Sequence, residues 1–339
     1  MKLIIQIPCL NEEETLPAVL RDLPTTIPGI DIIETQIIDD GSTDHTVAVA
    51  QELGVTYIVR NKTNKGLARS FQKGIEHALL RGADIIVNTD GDNQYDGNSI
   101  PDLVKPIVED RADIVLGDRD TASNMEFSAL KRRLQAVGSS VVQRMAGIEV
   151  TDAVSGFRAY SREAAFSINV MTTFSYTTET LIHAGQMGLT IVSVPVGTNS
   201  KTRPSRLFSS MSSFIKKQAL TILRSYVMYR SLNAFSTLGA VMIVIGIVPI
   251  IRFLYFYFIG EGGGNIQSLI LGSMFLLAGY LTLVLALLSD TIATNRRLIE
   301  ATLRRVRHLE IDQQMALSDT AEPPFVEAPQ KKTASAGRK

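Results

Sequence analysis

The chain has 339 residues, room for one sizeable core plus an appendage, and its 34 lysines and arginines balance its 34 aspartates and glutamates. That balance excludes a global field for nucleic acid, so a charged partner must be met by local clusters. The lone Cys9 excludes an internal disulfide; it suits a reducing compartment or plain core packing, with packing preferred.

The first element is an apolar strand at 3–7, with no basic region and long apolar stretch before it. No cleavable signal peptide is therefore expected, and the first domain should stay cytoplasmic. The strand ends in Pro8-Cys9-Leu10-Asn11-Glu12-Glu13, ahead of a helical stretch at 13–23. Glutamates there also suit the helix dipole, so a structural role competes with a binding one.

A second strand at 35–38 runs into Asp39-Asp40-Gly41-Ser42-Thr43-Asp44 and a helix at 43–53. Capping accounts for Ser42 to Asp44. It leaves Asp39 and Asp40, whose carboxylates at a strand terminus suit hydrogen bonds to a base or ribose. After a helix at 67–81, a strand at 85–88 ends in Thr89-Asp90-Gly91-Asp92-Asn93-Gln94. Two carboxylates one residue apart with an amide oxygen nearby can bind a hard cation, Mg2+ or Mn2+, that also grips phosphates. The alternative is a plain turn in which Gly91 supplies a positive φ. Further strands at 114–116 and 191–194 complete an alternation that implies an α/β sheet, mostly parallel, with ligands beyond the carboxyl ends of its strands.

Beyond about 200 the character changes. The stretch 207–230 mixes Phe208, Met211, Phe214 and Leu220 with Lys216, Lys217 and Arg224, as an interfacial amphipathic helix should. No charged residue lies between Arg230 and Arg252 or between Glu261 and Asp290, and a spanning helix needs roughly 20 apolar residues. Two transmembrane helices, 231–259 and 266–289, joined by a short glycine turn, are expected. Basic residues flank the hairpin on both sides, Lys216, Lys217, Arg224 and Arg230 before it and Arg296, Arg297, Arg304, Arg305 and Arg307 after it. The positive-inside bias then puts the first domain and both termini in the cytoplasm, while Arg252 snorkels at the far end. A cytoplasmic helix at 290–317 repeats Ile292, Ile299 and Val306 every seven residues, which fits a homo-oligomeric coiled coil or an amphipathic surface helix. A disordered tail is expected at 318–339.

Taken in order, Ile7-Pro8-x-x-Asn11-Glu12, Asp39-Asp40-Gly41-Ser42-x-Asp44, Asn64-Lys65-Gly66 and Asp90-x-Asp92-x-Gln94 resemble family 2 glycosyltransferases. Gly117-Asp118-Arg119, Ser155-Gly156-Phe157-Arg158 and the terminal hairpin resemble its dolichyl- and polyprenyl-phosphate branch, the dolichyl-phosphate mannosyltransferase-like enzymes. The resemblance implies a GT-A fold over 1–206, a Rossmann-like nucleotide-binding sheet merged with an acceptor-binding half. It places Pro8, Asn11, Glu12 and Asp40 around the nucleoside, Asp39 or Lys65 near its ribose and phosphates, and Asp90, Asp92 and Gln94 on donor and metal. Arg119 matches a phosphate-contacting arginine. Arg133, in the run Lys131-Arg132-Arg133, is a candidate for the acceptor phosphate or else part of a solvated helix face. Where the family often carries Gly-x-Ser-Lys, this chain reads Lys201-Thr202-Arg203-Pro204-Ser205-Arg206, and Arg203, Ser205 and Arg206 keep phosphate-binding chemistry.

The resulting expectation is inverting, metal-dependent transfer of one sugar from a UDP- or GDP-hexose to undecaprenyl or dolichyl phosphate, with a separate flippase moving the product. A processive polysaccharide synthase usually needs more spans and a Gln-x-x-Arg-Trp motif, and this chain has no tryptophan. A nucleotidyltransferase gives no reason for a lipid-facing hairpin, and a non-catalytic scaffold gives none for the full acidic set.

Overall fold

Strand β1 (Lys2–Cys9) is buried on both faces, which is why its apolar residues run on without polar alternation. Leu3 and Ile5 meet one layer of helices and Ile4 meets the other. This computed structural model describes residues 1–119, 152–170, 176–199, 231–260 and 262–320, together with Gln143, Gly147 and Val227.

Seven strands lie in the order β3-β2-β1-β4-β6-β5-β7. Strands β2 (Ile32–Asp39), β3 (Tyr57–Arg60) and β4 (Ile85–Asn88) are parallel to β1. Strand β6 (Arg158–Ser161) runs antiparallel between β4 and β5 (Ile114–Asp118), and β7 (Ile191–Pro195) is parallel to β5. Because the chain lays β2 and β3 on one side of β1 and β4 on the other, the order reverses at β1, and a crevice opens there at the carboxyl edge. The ends of β1, β2, β4 and β5 and the start of β6 all meet that edge.

Helix α3 (Leu67–Leu80) buries Ala68, Phe71, Ile75 and Ala78, a stripe at helical spacing, against the Ile4 and Ile86 face. The opposite face is covered by α4 (Ile100–Val108), and α1 (Leu16–Arg21) and α2 (Thr46–Glu52) close over Ile7 and Ile37. Helix α2 starts three residues later than the sequence suggests. Asp44 stays outside it and accepts from the Thr46 and Glu13 amides, at 3.0 and 3.2 Å. Two short helices, α5 (Arg162–Ser167) and α6 (Tyr176–Gln186), together with β3, β6 and α4, were not foreseen.

Helix α7 (Ser231–Phe258) and helix α8 (Ile266–Thr320) pack as an antiparallel hairpin, and both are long and apolar enough to cross a membrane. Val244, Val248 and Leu287 are 63%, 64% and 66% exposed. A helix in the core of a water-soluble protein would bury them; a bilayer accommodates them as they stand. The span expected at 266–289 and the helix expected at 290–317 are parts of one helix, α8, which continues through Thr320. Neither glycine nor proline occurs between 290 and 320 to stop it. The interfacial segment at 207–230, Val227 aside, and residues 321–339 lie outside the described residues.

The two helices touch through glycines spaced seven apart, Gly239 and Gly246 on α7 against Gly279 and Gly272 on α8. A Cβ at Gly246 would come 2.9 Å from the Gly272 carbonyl oxygen, and one at Gly279 equally close to that of Gly239. Small residues allow such backbone approach where no hydrophobic force draws helices together in lipid. Replacing Gly246 by leucine is therefore expected to splay the hairpin at a cost of about 1–3 kcal/mol. A disulfide engineered at Met242 and Thr282, whose side chains meet at 3.8 Å, should form in the parent and fail in the variant. Equal yields in both would show that the glycines do not set the packing.

Candidate active site

Four strand ends, those of β1, β2, β4 and β5, build the crevice. At the end of β1, Asn11 adopts a left-handed φ of 57°. Its backbone amide donates to Ser42 Oγ at 2.9 Å, and its Oδ1 accepts from the Thr43 amide at 2.8 Å. The Glu12 amide donates to Thr46 Oγ1 at 2.8 Å, so this loop is sewn to the start of α2. The Thr15 hydroxyl sits 2.8 Å from the Glu12 carboxylate and 2.7 Å from the Gly91 carbonyl, tying the same loop to the end of β4.

At the end of β2, Asp39 is fully buried and accepts from the Ser42 amide at 2.9 Å and from Arg60 Nε at 3.0 Å. Asp40 accepts from Asn61 Nδ2 and the Lys65 amide, both at 2.9 Å, and from the Gly66 amide at 2.8 Å. Asp40 thus builds the loop that leads into α3. Gly41 permits its approach, since a Cβ there would come 2.9 Å from the Thr63 backbone. The Lys65 side chain is exposed and, with Arg69 and Lys73, lines an open cleft of about 280 Å3 along α3.

At the end of β4, Gly91 packs against β1, and a Cβ on it would meet Cys9 Sγ at 3.1 Å, the Pro8 carbonyl oxygen at 3.2 Å and Glu12 Cγ at 3.3 Å. This contact, more than any need for a positive φ, requires glycine. It brings Asp90 within reach of the Glu12 charge, with Asp92 on the other side of Gly91. Asp92 accepts from the Gln94 amide at 3.2 Å and from Gln94 Nε2 at 2.9 Å. The Gln94 side chain, having turned its nitrogen to Asp92, retains a carbonyl-type oxygen for other partners.

The far wall comes from β5 and the loop before β6. Arg119 donates from Nε and Nη2 to the two oxygens of Asp152, at 2.6 and 3.0 Å, and its guanidinium lies 5.8 Å from the Tyr95 ring centre. Asp152 is 1% exposed, so Arg119 is held by a buried bidentate anchor. Arg158 is fully buried and donates to the carbonyls of Ser155, Ala153 and Thr177 and to Thr180 Oγ1, at 2.7–3.0 Å. Gly156 is pressed between the Tyr176 hydroxyl and Asp90, whose oxygens would lie 3.3 and 3.4 Å from a Cβ there. Tyr176 in turn receives Asn88 Nδ2 at 2.9 Å.

Burial first, and then the Asp92 charge, push the Asp90 carboxyl up to about 7, although Arg119 pulls the other way. Among the described residues none donates a hydrogen bond to the Asp90 carboxylate. A half-buried carboxylate next to a second one, with an amide oxygen nearby, is a hard oxygen donor set, and a divalent cation fits it. Among the described residues no cluster of three or more His, Cys, Asp or Glu could hold a metal, so most of the coordination would fall to other ligands, as is usual for Mg2+. Burial also raises the Cys9 thiol well above its ordinary value, with Glu12 adding to the effect, which makes it an unreactive packing group.

The Asp90 shift has a testable sign. A carboxyl whose folded value lies above its ordinary 3.8 makes the fold lose stability as pH rises from about 4 to 7. Asp90→Asn should therefore stabilise the ligand-free protein at pH 8, by at most about 4 kcal/mol, and raise its melting temperature there. It should change little at pH 4. A thermal scan in which the variant is equally or less stable at pH 8 would contradict the assignment.

The structure thus gathers Pro8, Glu12, Asp90, Asp92, Gln94 and Arg119 around one crevice. Asn11, Asp39 and Asp40 hold the loops at the ends of β1 and β2, and Lys65 is exposed just ahead of α3. Arg133, Arg203, Ser205 and Arg206 lie outside the described residues. Asp152, Tyr95 and Tyr176 were not foreseen. The only sequence signal for Asp152 was a charged residue just ahead of the Ser155-Gly156-Phe157-Arg158 run.

The model of glycosyl transferase family 2 matches residues 4–166. An uncharacterized protein of Methanocaldococcus jannaschii is 31% identical over 202 residues, which cover 58% of this chain and 81% of that protein. The undecaprenyl-phosphate mannosyltransferase of Micrococcus luteus is 26% identical over 58% of this chain and 83% of its own length. Among solved structures, glucosyl-3-phosphoglycerate synthase of Mycobacterium tuberculosis, crystallised with Mn2+, UDP and phosphoglyceric acid, superposes with a TM-score of 0.50 at 22% identity. The match covers 65% of this chain and 78% of that one. The likeness is one of fold, the GT-A arrangement expected from the motifs.

Proposed function

The chain belongs to glycosyl transferase family 2 and is a glycosyltransferase, and from that membership we propose that it moves a single sugar from a nucleotide-sugar donor to a membrane-embedded polyprenyl phosphate. The observation that carries this reading is the Asp90–Asp92 pair near the Asp152-anchored Arg119, in a domain on which the long second helix of an apolar hairpin docks. The name of the M. luteus relative supports the acceptor class.

Asp90, Asp92 and the Gln94 oxygen would hold a divalent cation, Mg2+ or Mn2+. Such an ion would supply positive charge to the departing nucleoside diphosphate. Asp39, Asp40, Asn11 and Glu12 keep the loops that meet the nucleoside in one shape. Arg119, fixed by Asp152 through two of its five N–H donors, points remaining donors at an anionic acceptor. A phosphomonoester with its second pKa near 6 is already largely dianionic at neutral pH, so no strong protein base is required. Its oxygen attacks the anomeric carbon as the bond from that carbon to the diphosphate breaks, and in-line displacement inverts the centre. The basic residues flanking the hairpin support a cytoplasmic site, and two spans offer no route across the bilayer for a lipid-linked sugar, so a separate flippase is part of the proposal.

The test is transfer by the purified protein in nanodiscs. Polyprenyl phosphate is offered with a panel of UDP- and GDP-hexoses and Mg2+ or Mn2+, and lipid products are read by mass spectrometry. One donor should give a lipid-linked sugar, with chelator stopping the reaction and added metal restoring it. Nucleotide binding without lipid product from any donor would overturn the acceptor assignment.

A further inference from the structure

Past Asp290, α8 leaves the apolar region and lies against the catalytic domain along one face, made by Arg296, Glu300, Leu303, Arg304, Arg307 and Ile311. Ile311 joins the core beside Phe166, and the His308 ring stacks on Phe166 with centroids 3.6 Å apart. Arg304 pairs with Glu163 at 2.7 Å, and Arg307 donates to the Ile168 carbonyl at 3.0 Å. At the heart of the contact, Glu300 accepts from Arg296 Nε at 2.7 Å and meets His183 Nε2 of α6 at 3.4 Å. His183 is 3% exposed and the Glu300 side chain 12%. Buried polar groups of this kind are tolerated only in a defined geometry, so the contact specifies an orientation as well as an attachment. Ile292 and Ile299 remain 68% and 67% exposed, on the side of α8 away from the domain.

The attachment point matters because α6 is a wall of the active site. One turn before His183 Thr180 holds Arg158, and about two turns before it Thr177 holds Arg158 and Tyr176 receives Asn88, two residues before Asp90. The membrane helix is thus fastened to the element that backs the carboxylate pair. Ten residues separate Asp290 from Glu300, which in an unbroken helix is a fixed stand-off of about 15 Å.

We infer that Glu300 and His183 are positioning residues: they lock α8 to α6, so that the helix that enters the bilayer also sets the height and tilt of the catalytic centre above it. This inference rests on the membrane-embedded acceptor proposed above. A locked domain presents its site to a phosphate confined to the bilayer surface, whereas an unlocked one meets that phosphate only in a fraction of its orientations. An acceptor free in water reaches the site in either case.

The test uses the full chain in nanodiscs and compares the parent with Glu300→Ala and with Thr294→Pro. Thr294 is exposed, lies between the bilayer and the docked face, and a proline there kinks α8 without touching the catalytic domain. Transfer is measured to a long-chain polyprenyl phosphate in the bilayer and to a short prenyl phosphate dissolved in water, and amide hydrogen exchange is followed over 296–311, 85–90 and 152–158. Both variants should lose roughly 10- to 100-fold in kcat with the bilayer acceptor. They should hold the donor KM within about twofold and keep the parental rate on the soluble acceptor. Exchange over 296–311 should rise in Glu300→Ala while 85–90 and 152–158 stay protected. Equal losses on both acceptors, or no loss on the bilayer acceptor, would overturn the inference. If the parent transfers to neither acceptor, it is the proposed function that fails, and unchanged exchange over 296–311 in Glu300→Ala would then overturn the lock separately.

Discussion

Asp92→Ala is expected to cut sugar transfer by roughly 10²- to 10³-fold, the usual consequence of removing one preorganised group that stabilises developing charge. The fold should survive. Asp92 sits on a loop at the mouth of the crevice, and its bonds to Gln94 lie within that loop, so their loss costs about 1 kcal/mol. Removing its charge also relieves Asp90, which Asp92 pushes upward. The purified variant should therefore melt near the parental temperature while losing turnover and metal-dependent donor binding together. Near-parental turnover in a folded Asp92→Ala protein would remove Asp92 from the chemistry and leave the charge pair without a catalytic reason.

Arg158→Met should have the largest effect on stability. The guanidinium closes three main-chain carbonyls and one hydroxyl in a place with no exposed surface, and methionine fills much of the volume while satisfying none of them. Each buried acceptor left unpaired costs about 1–3 kcal/mol, and breaking such a buried charged network costs about 3–5 kcal/mol. That is a large share of the 5–15 kcal/mol or so that holds a typical domain together. The loop at 152–157 should loosen with it, which frees Asp152 from Arg119. Urea unfolding should show a midpoint well below the parent's. A midpoint within error of the parent's would mean that water or main-chain rearrangement replaces the arginine without cost.

The sheet was legible where a strand carried its own signal. The runs ending at Asn88 and at Cys9 are apolar on both faces and close on acidic or amide residues, so both the strands and the chemistry at their ends could be read. Strand β6 could not. It has four residues, runs against its neighbours and inserts between β4 and β5 from some forty positions further on, with nothing local to place it. Helix α6 buries Thr177, Thr178, Glu179 and Thr180 and so lacks the amphipathic pattern that reveals a helix. The loop-building role of Asp40 was not legible, because its partners, Asn61 and the amides of Lys65 and Gly66, lie more than twenty residues along the chain. The links from Arg119 to Asp152 and from His183 to Glu300, 33 and 117 residues apart, are hidden for the same reason. Two features were there to be read: the paired glycines at seven-residue spacing in the hairpin, and the absence of any breaker between 290 and 320 that makes α8 one helix.

The most direct measurement is the structure of the lipid product itself, its sugar count by mass spectrometry and the configuration at its anomeric carbon by NMR. One sugar per prenyl phosphate, linked through that carbon with configuration opposite to the donor's, is the expected result. A polymer on the lipid, a retained configuration, or a nucleotidyl group transferred with release of pyrophosphate would contradict the account.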